Sequence, residues 1–263
     1  MSNTELNAVA KVILIAIRAG GTGKTHTATH YAFYCHTIKN RRVCFIEFDG
    51  QLNGADLLLA SEYGYELNIN SDSLFSNEPL PLPNIQEGIA VIKPKNKNFD
   101  IIDRQSNELI SNVKNNIEKL KAHFDMIVID TPPSSLLRVN AAMVVSDYIV
   151  SPLEINNKSI NGVRDHVEKI KATKQNFNPN LKFLGMVFNK FDSRIEVDKR
   201  LLGIFLKQFG SLVFKTVMKD RKAPYKTALM EAKPVWDLKT SSAREAAKEI
   251  FSVFEELESK MEA

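Results

Sequence analysis

The stretch Lys11-Val-Ile-Leu-Ile-Ala-Ile-Arg18-Ala19-Gly20-Gly21-Thr22-Gly23-Lys24-Thr25-His26-Thr27-Ala28 decides how the rest of the chain is read. An apolar run leads into a glycine-rich turn that ends in Gly-Lys-Thr, and helix-compatible residues follow. Strand, turn and helix in that order are the context of a phosphate-binding loop. A triphosphate is held best by consecutive backbone N–H groups on a loop that side chains do not crowd, with the positive end of a helix dipole behind it. Gly20, Gly21 and Gly23 supply such a loop. Lys24 would set its ammonium between the β and γ phosphates, and the Thr25 hydroxyl would be a ligand of Mg²⁺. The common pattern G-x-x-x-x-G-K-[ST] asks for glycine where this chain has Arg18, so the bare pattern is incomplete and its flanking strand and helix carry the assignment.

With 263 residues the chain is long enough to bury a core without disulfides, and no linker-like stretch divides it. The expectation is a single domain over residues 1–263, with a polar leader at 1–10 and a C-terminal helix at 241–263. The net charge of +4 permits contact with nucleic acid without requiring it. Cys35 and Cys44 are the only cysteines and have neither metal-binding nor redox spacing, which fits a reducing, cytoplasmic setting. No run reaches the roughly 18 apolar residues a membrane span requires, and the N-terminus lacks the layout of a secretion signal. No membrane partner is expected.

Strand-like and helix-like patterns alternate along the chain. Strands are expected at Lys11 to Ile17, Arg42 to Phe48, Gly88 to Lys93, Phe124 to Asp130, Asp147 to Glu154, Phe183 to Asp192 and Val213 to Met218. Helices are expected at Lys24 to Lys39, Ser106 to His123, Ser159 to Thr173, Asp198 to Phe209 and Ser241 to Met261. Ser61 to Pro83 reads as a surface excursion with short helical pieces, and Lys93 to Asn98 as a basic loop. The short, nearly continuous apolar strands suit a mostly parallel twisted sheet flanked by helices on both faces, an α/β fold of the phosphate-loop class.

In open α/β sheets, ligands gather at the carboxyl ends of strands. Glu47-Phe48-Asp49-Gly50-Gln51 closes the second strand, where Asp49 either orients a water for attack on the γ-phosphate, holds the metal through water, or caps a helix. Ile129-Asp130-Thr131-Pro132-Pro133 closes the fourth, where the Asp130 carboxylate can reach the Mg²⁺ shell and the Pro-Pro turn frees the next segment to respond to the γ-phosphate. Phe188-Asn189-Lys190 closes the sixth, where Asn189 pairs with an adenine edge or caps a turn. His26 and His30, with His36 beyond them, stand four apart on the first helix and raise a metal site, although no acidic residue joins them.

Together with Ala228-Leu-Met-Glu-Ala-Lys233-Pro234-Val235, these motifs resemble the ParA/MinD superfamily of deviant phosphate-loop ATPases, and within it the ParA partition branch, in order from about residue 11 to 258. The resemblance implies ATP and ADP as ligands with Mg²⁺, and a homodimer that sandwiches two nucleotides. It also implies nonspecific DNA binding in the ATP state and a centromere-binding, ParB-like partner that stimulates weak hydrolysis. By the same resemblance Gly20, Gly21, Thr22, Gly23, Lys24, Thr25, His26, Asn189 and Arg221 contact the nucleotide. Lys24 and Asp49 serve hydrolysis, and Thr25, Asp49 and Asp130 serve the metal. The chain departs from the family at Ala19, where a signature lysine normally precedes the Gly-Gly pair and reaches across the dimer. Either Arg18 substitutes, or the chain binds nucleotide but barely hydrolyses it, or Ala19 is an introduced change. Glu47 stands where aspartate is usual, and Gly50 where proline is.

Three functions compete. A partition ATPase that moves DNA over the nucleoid would use the basic set Lys199, Arg200, Lys207, Lys215, Lys219, Arg221, Lys222 and Lys226. A MinD-like positioning ATPase would want a basic amphipathic tail, whereas Glu245, Glu249, Glu255, Glu256, Glu258 and Glu262 make this one acidic. A metallocluster ATPase of the same fold, like nitrogenase iron protein, would want cysteines placed differently from Cys35 and Cys44. About ten residues precede the first strand, too few for a helix-turn-helix, so recognition of a specific DNA site is expected from a partner.

Overall fold

Every side chain from Val12 to Ile15, from Val43 to Glu47 and from Met126 to Asp130 is buried, as expected of strands covered on both faces. The computed structural model describes residues 10–95, 99–134, 136–154 and 159–263. The first half contains β1 (Lys11–Ile15), α1 (Lys24–Thr37), β2 (Val43–Glu47), α2 (Asn53–Ala60), β3 (Gly64–Glu66), α3 (Ser71–Leu74), β4 (Ile89–Ile92), α4 (Leu109–Lys121) and β5 (Met126–Asp130). The second contains α5 (Leu137–Val145), β6 (Tyr148–Glu154), α6 (Ser159–Asn176), β7 (Lys182–Phe191), α7 (Glu196–Phe209), β8 (Val213–Lys219), α8 (Lys222–Met230) and α9 (Ser241–Glu262).

The described strands form one sheet of eight in the order β3-β4-β2-β5-β1-β6-β7-β8, and every pairing among them is parallel. β1 lies between β5 and β6, so the order reverses beside it and a crevice opens at its carboxyl end. Alternate side chains of β1 enter different cores. Ile13 and Ile15 join Tyr31, Phe33 and Phe254 on the side of α1 and α9, while Val12 and Leu14 join Val113, Ile117 and Met143 on the side of α4 and α5.

The structure corrects the expected layout in a few places. β1 stops at Ile15, and Ile17 instead packs with Val163, Phe188 and Phe205. The excursion after Ser61 holds the helical piece α3 but also β3, an eighth strand at the sheet edge. Leader residues 1–9 and the end of the basic loop at 96–98 lie outside the described residues.

The acidic C-terminal helix is turned inward at three of its carboxylates. Glu258 accepts hydrogen bonds from Tyr31 Oη at 2.6 Å and from Arg41 Nη1 and Nη2 at 2.7 and 2.8 Å. Glu256 accepts from the backbone N–H groups of Lys215 and Thr216 on β8, and Glu249 pairs with Arg221 and Lys219. Ala243, Ala247, Ile250, Phe254, Leu257 and Met261 are buried on the same inward side. No described helix is long and apolar enough to cross a membrane.

Candidate functional site

β1 delivers the chain into the glycine turn at the centre of the sheet. Gly21 (φ 74°) and Gly23 (φ 93°) are left-handed, and a Cβ on Gly23 would lie 2.2 Å from Asn189 Nδ2, so both backbone and packing demand glycine there. α1 starts at Lys24 with no side-chain cap, which leaves its first N–H groups for an anion. Gly20, Gly21, Gly23, Lys24, Thr25, His26, Asp49 and Pro133 line a cavity of about 340 Å³.

Lys24 is 7% exposed and donates from Nζ to the Ala19 carbonyl at 2.8 Å. Burial lowers its pKa, while the charges of Asp130 and Asp49 pull it back up. Asp130 is fully buried and neither carboxylate oxygen has a hydrogen-bond partner. Burial pushes its pKa to about 7. Thr25, Lys24 and the Thr131 N–H beside it pull the other way, Thr25 and Thr131 without completing hydrogen bonds of ordinary geometry. A buried carboxylate without partners is costly to ionise, and a hard cation held by oxygen ligands is what would relieve it. The donor set of Thr25, Asp130 and Asp49 therefore fits Mg²⁺.

Glu47 is the register partner of Asp130 across β2 and β5. Its Oε2 accepts from the N–H groups of Gly54 and Ala55 at 3.0 and 3.1 Å, and its Oε1 from that of Asp49 at 3.3 Å. The longer side chain thus reaches the first turn of α2, a role that its standing where aspartate is usual did not indicate. Burial raises its pKa, and the charge of Asp130 adds to the effect. Asp49 accepts the Gln51 N–H at 3.1 Å in a local turn and faces the loop cavity.

The remaining expected residues are placed as follows. Asn189 lies against the loop, donating from Nδ2 to the Thr22 carbonyl at 2.9 Å, and its Oδ1 accepts the Lys190 N–H. Arg221 pairs with Glu249 and lines a separate cavity of about 340 Å³ with Phe191, Asp192, Arg194 and Lys219. His26 lines the loop cavity, and its ring centroid lies 4.3 Å from those of both His30 and Tyr225. Burial lowers the pKa of His30 to about 4 and that of His26 further. Among the described residues no group of three or more His, Cys, Asp or Glu is placed to hold a metal ion, so the histidine pair belongs to an aromatic core with Trp236. Arg18 lines a small cavity with Asp165, His166 and Lys169 that adjoins Thr131, Pro132 and Ser134, and it is not among the residues that line the phosphate cavity.

Arg138 was not anticipated. It forms a buried ion pair with Asp103, both side chains 5% exposed, and donates from Nη1 to the Phe48 carbonyl at 2.9 Å. This ties the segment after the Pro-Pro turn to the residue preceding Asp49. The signal was a lone charge in the apolar run Leu137-Arg-Val-Asn-Ala-Ala-Met. His166 also escaped notice: its Nε2 lies 2.9 Å from Ser151 Oγ, which donates to the Ala16 carbonyl just before the loop.

A family model described as an AAA domain matches residues 10–183. Protein IncC of Escherichia coli is 30% identical over 261 residues, covering 97% of this chain and 70% of that protein. The chromosome partitioning protein ParA of Myxococcus xanthus is 26% identical over 216 residues, covering 80% of this chain and 75% of that one. A variant of Cyanothece McdA in complex with ATP shares the fold with a TM-score of 0.78 at 20% identity, covering 95% of this chain and 97% of that chain. Because the family match runs from β1 into β7 and the likeness to IncC continues over nearly the whole chain, this protein belongs to the ParA/MinD superfamily of deviant phosphate-loop ATPases.

Proposed function

We propose that this protein is a ParA-type ATPase that binds ATP with Mg²⁺, dimerises around two nucleotides and in that state holds DNA nonspecifically. It would thereby partition DNA cargo together with a centromere-binding, ParB-like protein, in a cytoplasmic and nucleoid-associated setting. The observation that carries the reading is the fully buried, unpartnered carboxylate of Asp130 beside a glycine loop that leads into an uncapped helix N-terminus. One half of this site wants a cation and the other an anion, and a magnesium nucleotide satisfies both. Bound magnesium would offset charge on the phosphates. Thr25 and Asp130 would hold it, Lys24 would meet the phosphates, and Asp49, on the cavity wall, would orient the attacking water.

The likeness to a chromosome partitioning protein of Myxococcus xanthus supports a role in DNA partition. Of the basic set, Lys219 and Arg221 pair with Glu249, Lys199 with Glu196 and Lys222 with Asp220. Arg200, Lys207, Lys215 and Lys226 have no ion pair among the described residues and are the cations best placed to meet DNA phosphates. The apolar face of α9 is buried in the core, which favours DNA over a MinD-like membrane role.

Calorimetric titration with magnesium ATP is expected to show binding by the wild type and none by Lys24→Ala; retained affinity in the variant would overturn the site. Sizing with ADP, ATP and a slowly hydrolysed analogue, with and without DNA, tests the rest. A dimer and salt-sensitive DNA binding should appear only with the triphosphates, and DNA binding indifferent to nucleotide and salt would refute the partition reading.

A further inference from the structure

Asn189 and Lys190, consecutive residues near the end of β7, grip consecutive carbonyls of the glycine loop. Asn189 Nδ2 donates to the Thr22 carbonyl at 2.9 Å, and Lys190 Nζ donates to the Gly21 carbonyl at 3.1 Å. The grip is built with care. Lys190 is left-handed (φ 55°), a conformation that disfavours side chains, and it sits where the pairing of β7 with β8 shifts register. Its own N–H donates to Asn189 Oδ1 at 2.9 Å, which turns the amide nitrogen of Asn189 toward Thr22. Its ammonium also reaches Glu154 Oε2 at 3.2 Å, and Glu154 is the register partner of Asn189 on β6.

The consequence follows from peptide geometry. In a trans peptide the carbonyl and the next N–H point to opposite sides, and no peptide here is cis. Holding the Gly21 and Thr22 carbonyls against β7 therefore turns the N–H groups of Thr22 and Gly23 away from β7. With Gly21 and Gly23 both left-handed, successive amide donors form a concave anion nest. A loop held in this way need not be ordered by its ligand. Ala19 brings no charge and Arg18 lines a different cavity, so Lys190 also adds a cation to the loop from this flank.

We infer that Lys190 is a positioning residue for phosphate binding: with Asn189 it holds the loop open as an amide nest within a single chain, so that a diphosphate group is received without help from a second copy. This rests on the nucleotide reading of the loop. The test is titration of the full chain with magnesium ADP and with inorganic pyrophosphate, at two salt concentrations, for the wild type, Lys190→Met and Lys190→Arg. Lys190→Met should weaken both probes about tenfold, as expected for a lost charge-assisted hydrogen bond, and should reduce the salt dependence. Lys190→Arg should recover most of the affinity. The ligand-free melting temperature should move by no more than about 1 °C, since the Lys190 side chain is 43% exposed and its ion pair is a surface one. Affinity within about twofold of the wild type in Lys190→Met, where a missing contact should cost more, would overturn the inference. So would an arginine variant as weak as the methionine one. A wild type that binds neither probe would overturn the nucleotide reading itself, and this inference with it.

Discussion

The carboxyl ends of β2 and β5 lie side by side, with Glu47 in register against Asp130, both completely buried. Their carboxylates nonetheless differ in kind. Glu47 accepts three backbone N–H groups, two from the first turn of α2 and one from Asp49, whereas neither Asp130 oxygen completes a hydrogen bond of ordinary geometry among the described residues, although the Thr25 hydroxyl and the Thr131 N–H lie close enough to lower its pKa. Depth in the sheet and the chemical group are the same, so what separates them is what each meets: backbone N–H groups for Glu47, and the Lys24 charge with incompletely formed hydrogen bonds for Asp130. A buried carboxylate satisfied by its own chain holds structure together, and one left without partners is kept for something that arrives from outside.

Substitutions can break that contrast. The largest effect is expected from Asp130→Asn, which should lower magnesium-dependent ATP turnover about 100-fold or more by losing a metal-directed charge. The same change should leave the ligand-free melting temperature unchanged or higher, because an uncompensated buried carboxylate is gone. A fall in both would place Asp130 with Glu47 as a structural group. Glu47→Ala should show the reverse pattern: urea unfolding should register a loss of about 2–4 kcal/mol from unmet N–H groups and a small void, with nucleotide affinity of the folded protein little changed. Asp49→Ala, between the two in position, should keep ATP bound while turnover falls about tenfold or more. Undiminished turnover would remove Asp49 from hydrolysis.

Acidity sharpens the same contrast more gently. His30 and His166 are held by burial near pKa 4, against 6.5 in an unfolded chain. The unfolded state takes up those protons first, so stability present above pH 6.5 is lost as pH falls toward 4. Asp130, raised by burial from 3.8 to about 7, runs the opposite way: its contribution is present below the unfolded pKa and lost as pH rises through 7. Between pH 7 and 5 the buried histidines, His26 among them, should lower the stability of the wild type, and Asp130 should offset part of that loss. In Asp130→Asn the offset from Asp130 is gone while that from Glu47 stays, so its ligand-free melting temperature should drop more steeply on acidification than that of the wild type. Parallel profiles would mean that Asp130 does not titrate in this range.

Much of this was legible because it is local. The glycine loop, the apolar strands and the acidic strand ends are short-range patterns, and the structure sets Lys24, Thr25 and Asp49 around one cavity. What escaped depends on distant residues meeting. β3 is three residues in a polar stretch and exists only through its pairing with β4. The Arg138–Asp103 pair joins residues 35 positions apart. The histidine spacing suits a metal, but Tyr225 and Trp236 arrive from the far end of the chain to pack against the rings. Nor does any local pattern show that Arg221 meets Glu249 on α9.

The inward-facing Glu258 has a practical bearing on how this protein is handled. It ties α9 to Tyr31 on α1, the helix that opens at Lys24, while the Met261 carbonyl accepts from Tyr148 Oη at 3.1 Å. Trimming the chain from Glu258 onward, or fusing a bulky reporter directly after Met261, would strip support from the element behind the phosphates.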